Sequence, residues 1–259
     1  MKPGRICDTR TVDPARVAAL SVTEATGDVA FIGEPRDDIK IISQKHPTGG
    51  VTPQELDTNV QVVENRLEIT TDEPQLLGLG GGRVALELRV PTNVAVHRLH
   101  TNHGDVTSVR VTDGATLEAP EGNVSVSRAR GDISARSTKG DITVDGTEGD
   151  LSATTLEGTI QVRDPMRVAA LTTQTGDITA DVPAVADDAL VESSAGDLLL
   201  RLSEGLSATL SAHTGTGEFS VPKQAPQFRV HQRTETQLHA AVDRGTSRLT
   251  ARTDDGDIT

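Results

Sequence analysis

A glycine recurs every nine residues between Gly122 and Gly158 of this 259-residue chain. Three of these glycines are followed by Asp132, Asp141 and Asp150, and each aspartate is followed by Ile or Leu. Apolar and polar residues then alternate, and this period of two is that of a half-buried β-strand. A fixed period this short indicates a repeat architecture, in which neighbouring units stack to bury a core that one unit cannot bury alone.

The Gly-Asp pair is interpreted as a corner between two short strands. Glycine adopts positive φ angles without steric cost, and an aspartate side chain closes a turn by accepting a nearby backbone N–H. Further copies, with the same or a similar acidic residue, are Gly27-Asp28, Gly104-Asp105, Gly176-Asp177, Gly196-Asp197, Gly217-Glu218 and Gly256-Asp257. The repeat therefore extends over most of the chain, and its first role is structural.

Two architectures produce a strand unit of this length. In an antiparallel meander each unit is one arm of a hairpin, whereas in a parallel β-solenoid two units form one coil and residues about eighteen apart stack. At that spacing Glu121, Lys139 and Glu157 alternate in charge, and Asp145 falls beside Arg163. Opposite charges on adjacent strands are mildly stabilising, and a meander gives no reason for this order. The charge columns therefore favour the solenoid.

The predicted fold is an all-β, flattened parallel β-solenoid (a β-helix) with about eighteen to twenty-one residues per coil. Its core places Val144 opposite Ala135 and Ala153, and large residues facing small ones let two sheets pack closely. The stacking of Asp132 on Asp150 is an exception to the charge pattern, because like charges on adjacent strands are destabilising.

Three regions are predicted along the chain. Residues 1–19 form a partly disordered N-terminal segment, residues 20–91 a region of longer strands, and residues 92–259 the solenoid. The strands of 20–91 lack the nine-residue period and are expected to cap one end of the solenoid, since open sheet edges associate unless covered. Residues 14–20 are the best candidate for a short helix, and the glycine-rich stretch 78–82 is predicted to be a flexible loop.

Charge and aromatic content argue against several classes of function. The chain carries 38 Asp and Glu against 25 Lys and Arg, a formal net charge of −13, and such a surface repels nucleic-acid phosphates and anionic membranes. It contains no Trp, no Tyr and three Phe, so stacking platforms for single-stranded nucleic acids are scarce. We therefore predict no nucleic-acid partner, and no apolar run is long enough for membrane insertion.

The excess of carboxylates predicts a protein that salt stabilises, as in halophilic organisms. Repulsion among like charges destabilises the compact state, and added salt screens it. We expect the melting temperature to rise between low and molar salt concentration. A melting temperature that does not change with salt would contradict the halophilic assignment.

The order of sequence elements is similar to that of a known family. A strand region is followed by RVALELRVPTNVAVHRLHTNHGDV, residues 83–106, and then by recurring Gly-Asp-[Val/Ile/Leu]-x-[Val/Ala] units. Over residues 20–259 the chain resembles the domain-of-unknown-function 4097 family, described as adhesins with β-strand repeats. The resemblance implies an all-β stack and a role at the cell surface, and it brings no catalytic residues.

Two groups of side chains are candidates for metal binding. His97, His100 and His103 are three residues apart, which on a strand places consecutive side chains on opposite faces, so a solvated turn is the preferred interpretation. The corner aspartates are weak calcium candidates, since calcium takes six to eight oxygen ligands. They are Asp132, Asp141, Asp150 and Asp177. The known calcium β-roll pattern has a Gly-Gly pair that is missing here, so we predict no cofactor and keep calcium as an alternative.

No catalytic residue is predicted. Asp132 with Asp150 resembles the carboxylate pair of a polysaccharide-cleaving enzyme, but both residues belong to corners beside a thin core. Cys7 is the only cysteine and has no histidine near it in the sequence to activate its thiol. The chain is therefore expected not to be an enzyme.

The sequence predicts a non-enzymatic, adhesin-like β-solenoid that presents repeated Ser, Thr and charged side chains to an unknown cell-surface partner or to itself. A self-assembling cytoplasmic scaffold, similar to the bactofilins, and a calcium-binding β-roll are the alternatives. End-to-end association is expected if the edge at residues 257–259, in mid-motif, is bare. The first residues contain no apolar signal segment. The expected location is the cell surface or extracellular space if an export or anchor segment precedes this sequence, and the cytoplasm otherwise.

Overall fold

The computed structural model describes residues 6–48, 51–71, 81–221 and 228–259. These residues form 21 β-strands and one 3-10 turn, so the predicted all-β class is confirmed. None of them belongs to a helix long and apolar enough to cross a membrane. The chain divides into two compact units, Met1–Arg130 and Gly131–Thr259. The glycine-rich loop predicted at 78–82 lies outside the described residues, except for its last two glycines.

The first unit contains strands β1 to β11. Their bounds are β1 (Ile6–Val12), β2 (Ala19–Thr26), β3 (Val29–Glu34), β4 (Ile39–Pro47), β5 (Thr58–Val63), β6 (Arg66–Thr71), β7 (Gly82–Pro91), β8 (Ala95–His103), β9 (Val106–Val109), β10 (Ala115–Ala119) and β11 (Val124–Arg130). The short helix predicted within 14–20 is reduced to the 3-10 turn Pro14–Arg16, because Val17 returns to extended backbone angles. Asp13 caps this turn by accepting the Ala15 amide.

Parallel strands of the first unit stack in an order that differs from their order in the chain. On one face β2 lies between β6 and β8, with Leu20 paired to Leu67 and Val96. On the other face β3 lies between β7 and β9, with Val29 paired to Leu86 on one side. The coil formed by β2 and β3 is therefore inserted between two coils that follow it in sequence. The domain boundary expected at 91/92 is not found, because strands from both sides of it pair within one stack.

Antiparallel strands cover the outer coil of the first unit. β4 pairs with β7, β1 with β4, and β5 with β6. An ion pair of 2.9 Å between the Asp8 carboxylate and the buried Lys45 ammonium fixes β1 on β4. β1 lies within the segment 1–19, for which partial disorder is predicted, and is paired with β4 along its whole length. Residues 1–5 lie outside the described residues.

The second unit contains strands β12 to β21. Their bounds are β12 (Ile133–Ser137), β13 (Ile142–Thr154), β14 (Ile160–Thr175), β15 (Ile178–Val182), β16 (Val185–Ala195), β17 (Leu198–Leu202), β18 (Ala208–Thr214), β19 (Phe228–Arg233), β20 (Gln237–Val242) and β21 (Ser247–Asp255). The register of β13 on β14 shifts within each strand, because both strands pass a corner. Each of them therefore contributes to two faces of the unit.

The central coils of the second unit have the register that the charge columns predict. Ile142 pairs with Ile160, and Ile160 pairs with Ile178, a separation of 18 residues along the chain. The following coil is longer, since Ile178 pairs with Leu198, 20 residues further on. All of these pairs are parallel, so the antiparallel meander is excluded for this part of the chain.

The last strand of the second unit is also inserted between other strands. β21 lies between β16 and β18, and Ile258 bridges to Leu198 on one side and to Phe219 on the other. The expectation of a bare edge at residues 257–259 is therefore wrong, because that segment is enclosed and Ile258 is only 6% exposed. Beyond β18 the sheet continues with β20 and then β19, both antiparallel to their neighbours.

The core of the second unit follows the predicted alternation. Val144 and Val162 point inward from one face, Ala135 and Ala153 point inward from the other, and all four are fully buried. Between these positions the outward residues keep part of their surface exposed. The inward pattern changes only next to the corners, where hydroxyl side chains replace aliphatic ones.

Candidate functional site

Each glycine corner combines three groups that bind the neighbouring coil. At Gly176 the Thr173 hydroxyl donates to the Gly158 carbonyl oxygen at 3.0 Å. The Asp177 carboxylate accepts the Asp197 amide at 2.8 Å, and the Gly176 backbone packs against the Gly158 carbonyl group. The corner therefore follows from the local sequence Thr-x-x-Gly-Asp, in which each group has a fixed place relative to the turn.

Close approach between coils explains why the corner residue is glycine. A Cβ at Gly176, whose φ is +143°, would lie 2.1 Å from the Gly158 carbonyl oxygen, far inside van der Waals contact. Other positions would bring a Cβ within 1.8–2.4 Å of a carbonyl oxygen of the adjacent coil: Gly27, Gly104, Gly122, Gly149, Gly158, Gly196, Gly217 and Gly256. The absence of a side chain at these positions lets successive coils stack at the spacing of hydrogen-bonded strands.

The corner aspartates form a ladder of hydrogen bonds between coils. Asp141 Oδ1 accepts the Thr159 amide at 2.8 Å, and Asp177 Oδ1 accepts the Asp197 amide at the same distance. The same contact to the next coil is made by Asp28, Asp105, Asp197 and Asp257. Two of the four calcium candidates, Asp141 and Asp177, therefore have a structural role that needs no metal.

The two remaining calcium candidates lie at the opposite corner. Asp132 Oδ1 accepts the Asp150 amide at 2.9 Å, and the Asp150 carboxylate pairs with Arg167 Nε at 2.7 Å. Asp132 and Asp150 are the like-charged pair that was an exception to the charge pattern. The Asp150 amide and the Arg167 guanidinium offset the repulsion between their carboxylates. The nine-residue pattern did not reveal Arg167, because the chain bends irregularly before it.

Within the ranges that the structure describes, no three or more His, Cys, Asp or Glu side chains are grouped as metal ligands. The absence of a cofactor stays a prediction, and we expect millimolar calcium to leave the melting temperature unchanged. A stabilisation by calcium that magnesium does not reproduce would favour the β-roll alternative.

The histidine cluster of the sequence is divided among different partners. His100 Nδ1 lies 3.3 Å from Glu118 Oε2, and His103 Nδ1 lies 2.7 Å from Glu121 Oε2. His97 is exposed and lies earlier on the same strand, β8. The spacing of three therefore separates these side chains, as expected for a strand, and directs two of them to carboxylates of the next coil.

A ladder of buried hydroxyls is the corner feature that sequence reasoning missed. Each hydroxyl lies three residues before a glycine and donates to the carbonyl oxygen of the corner glycine in the adjacent coil. The donors are Thr101, Thr155, Thr173, Ser193, Thr214 and Thr253. The signal was present in the sequence as a recurring Thr/Ser-x-x-Gly, three residues before each corner.

Glu24 takes the hydroxyl position at the corner of Gly27. It is buried, with 1% of its surface exposed, and its carboxylate accepts the hydroxyl of Thr71 from the neighbouring strand β6. A buried carboxylate needs hydrogen-bond donors around it, and Thr71 can donate to Glu24 only when β6 is paired with β2. The Glu24 contact is therefore specific to the altered coil order of the first unit.

Removal of one rung of the aspartate ladder gives a test of its role. Asp177→Ala is expected to lower the free energy of unfolding by about 1 kcal/mol, because the Asp197 amide loses its acceptor. Asp177→Asn is expected to cost less, since its side-chain oxygen still accepts the bond. Urea denaturation measures both values, and equal losses would contradict the assignment of the carboxylate as a hydrogen-bond acceptor.

The hydroxyl ladder is tested by a substitution that keeps side-chain shape. Thr173→Val removes the buried donor to the Gly158 carbonyl, and we expect a loss of about 1–2 kcal/mol in the free energy of unfolding. Thr172→Val is the matched control, because Thr172 points outward on the same strand. Chemical denaturation that finds the two substitutions equally costly would argue against the ladder.

Outward side chains of one face of the second unit form two continuous rows across seven strands. The first row is Ser134, Ser152, Ala170, Leu190, Thr250, Ser211 and His239. The second row is Arg136, Thr154, Thr172, Glu192, Arg252, His213 and Gln237. On the opposite face Asp145 pairs with Arg163, as predicted. The rows are mostly polar and vary in composition from coil to coil.

The sequence of most of the chain matches the model of a known protein family. The family model described as Toastrack DUF4097 matches residues 17–259. The chain belongs to the Toastrack family. The resemblance carried by residues 83–106 and by the Gly-Asp units is thereby confirmed, and the match extends through both units. The β-solenoid expected from the repeat is the Toastrack architecture.

Several crystal structures resemble this Toastrack chain at low identity. A putative adhesin from Bacteroides fragilis NCTC 9343 is 14% identical with a TM-score of 0.45, over 99% of this chain and 97% of that one. A putative cell adhesion protein from Clostridium sporogenes ATCC 15579 is 10% identical with a TM-score of 0.31, over 98% of each chain. A putative lipid binding protein from Parabacteroides distasonis ATCC 8503 is 8% identical with a TM-score of 0.40, over 98% and 96%. No curated protein matches the chain.

Proposed function

We propose that this Toastrack protein is a non-enzymatic, adhesin-like binding protein whose solenoid presents rows of polar side chains to a partner. The observation that carries the proposal is that polar groups at the corners are hydrogen-bonded within the stack, whereas polar groups on the outward face are not. Corner groups such as Thr173 and Asp177 bind the neighbouring coil. Outward residues such as Thr154 and Thr172 make no side-chain hydrogen bond with another described residue, so they are available to a partner.

The proposed partner is a polar component of another surface, recognised through contacts distributed along the rows. Stacked repeats create extended binding surfaces of this kind, and polar contacts spread over a long face give specificity without a deep pocket. Such a role implies a location at the cell surface or in the extracellular space. Membership of the Toastrack family supports the adhesive role that the resemblance implied.

Adhesion is tested with beads coated with the full chain and exposed to intact cells or matrix proteins under flow. We expect retention several-fold above that of albumin-coated beads. Replacing Thr154 and Thr172 with Glu is expected to reduce retention, whereas Ser at both positions, which keeps the hydroxyls, is the matched control. Retention equal to albumin on every surface would contradict the proposal.

The absence of catalysis is tested with soluble polysaccharides. We expect no new reducing ends during incubation with the protein, because Asp132 and Asp150 are held by the Asp150 amide and by Arg167. Depolymerisation that disappears in Asp132→Asn would establish an enzyme and overturn this part of the proposal.

Self-assembly is the alternative function, and it depends on the edges of the outermost strands. β1, β5 and β19 each pair on one side within their own unit, and unpaired strand edges associate with other chains. Arg229 and Arg233 on β19 act against this, since charges on an edge strand oppose further pairing. We therefore propose a monomer, and sedimentation velocity over a wide concentration range would reveal end-to-end polymers if the scaffold alternative is correct.

A further inference from the structure

An open cavity of about 430 Å³ lies on the outward face of β18, β20 and β21 in the second unit. It occupies the end of the two polar rows, where antiparallel β20 adjoins the parallel stack. Its polar lining consists of Ser211, His213, Gln237, His239, Thr250 and Arg252. The volume is within the range of sites for small molecules.

The lining is composed almost entirely of hydrogen-bond donors. Arg252 supplies a guanidinium, His213 and His239 supply ring N–H groups, and two hydroxyls and one amide complete the set. No side chain of this lining forms a hydrogen bond or ion pair with another described residue, although both histidines are half-buried. The lining contains no carboxylate. These donor groups are therefore open to a ligand, and a guanidinium without a carboxylate beside it in the lining favours a ligand rich in acceptors.

The chain segment that supplies four of the seven lining residues is basic, in contrast to the whole chain. Residues 228–252 contain five arginines and two carboxylates, in a protein with a net charge of −13. Glu192 lies beside Arg252 in the register of β16 and β21, and no ion pair joins them. A local positive region within an acidic protein attracts a small anion at short range.

We propose that this cavity binds the phosphate monoester of a sugar, a site that does not depend on the adhesive role. Arg252 contacts the phosphate, because the planar guanidinium matches phosphate oxygens with two parallel N–H bonds. His213, on the neighbouring strand of the same row, adds a second donor to the anion. The hydroxyls and the amide bind the sugar oxygens, which fill the part of the cavity that a phosphate leaves open.

The lining also distinguishes this ligand from other phosphorylated molecules. A nucleotide base or an aromatic group needs a stacking surface, and the chain contains no Trp or Tyr. A lipid tail needs an enclosed apolar channel, whereas this cavity is open and six of its seven lining residues carry a polar side chain. A polar, charged and soluble molecule of sugar size is the ligand that these groups satisfy.

Isothermal titration calorimetry of the full chain with glucose 6-phosphate tests the proposal. We expect saturable binding, and no measurable binding of glucose under the same conditions. Arg252→Gln is expected to weaken the affinity roughly tenfold or more, because it removes charge-assisted hydrogen bonds. Arg248→Gln is the matched control: Arg248 is on the same strand but outside the lining, so its loss is expected to change the affinity less than about twofold.

Several results would overturn the proposal. Glucose 6-phosphate that fails to bind the unaltered protein, or equal losses in Arg252→Gln and Arg248→Gln, would show that no specific site exists. Equal affinity for inorganic phosphate would show that the sugar contributes nothing to binding. Selective shifts of the His213 and His239 ring signals in NMR spectra are expected on titration, and shifts confined to other histidines would place the ligand elsewhere. Failure of bead adhesion with this binding intact would count against the adhesive role alone.

Discussion

Gly176→Ala is expected to lower the free energy of unfolding by roughly 4 kcal/mol, which is a large part of the stability of an ordinary domain. The added Cβ would lie 2.1 Å from the Gly158 carbonyl oxygen and 2.6 Å from its carbon. Both atoms are backbone, so the clash is relieved only by separating two coils. The φ of +143° adds strain for any residue with a Cβ. Urea denaturation followed by circular dichroism measures the loss.

Gly205→Ala is the matched control for this substitution. No atom lies within 4 Å of a Cβ added at Gly205, so the free energy of unfolding is expected to change by less than about 0.5 kcal/mol. Similar effects of the two alanines would show that general glycine flexibility, rather than the contact between coils, determines the cost. Hydrogen exchange would then be expected to show no loss of protection near Gly158.

Ile142→Asp is expected to unfold the central coils of the second unit, at a cost of at least ~4 kcal/mol. Ile142 is fully buried and stacks on Ile160 in the parallel ladder. A carboxylate at this position would be surrounded by aliphatic side chains, with no donor to replace its hydration. Thermal and urea unfolding report the loss, and hydrogen exchange localises it.

Thr143→Asp places the same side chain one residue later on the outward face. Thr143 is exposed, so the expected change is well under about 1 kcal/mol. Comparable destabilisation by the two aspartates would contradict the inward and outward assignment of the whole strand, because adjacent residues of a strand point to opposite faces.

Features that repeat locally were predictable from the sequence. Strand alternation and the Gly-Asp corner are set within a few residues, and the register between Asp145 and Arg163 followed from their opposite charges. The structural role of the aspartates was predicted as well, although as a bond within the turn. The bond instead reaches the next coil, as from Asp141 to Thr159, because the turn is tight enough to bring the two backbones together.

Features that depend on distant segments were not predictable. The pairing of Leu20 with both Leu67 and Val96 leaves no periodic signal, since the loops between these strands vary in length. The cavity at His213, His239 and Arg252 has the same origin, because the three residues meet only after β20 and β21 have joined β18 from different directions. A sequence repeat predicts where the next repeat begins. It does not predict that a strand such as β2 or β21 will insert between strands distant from it in sequence.

The inserted coils also constrain how the chain can be made and shortened. β2 and β3 leave the ribosome before both coils that enclose them, so they wait for β6 to β9 before they gain parallel partners. β21 is synthesised after β16 and β18, and it must enter the space between them. Assembly therefore cannot proceed as a zipper from one end, as it does in sequential repeat proteins. Deleting the first or last coil in sequence would therefore leave a gap inside the stack. In a solenoid whose coils stack in sequence order, the same deletion would only shorten the stack.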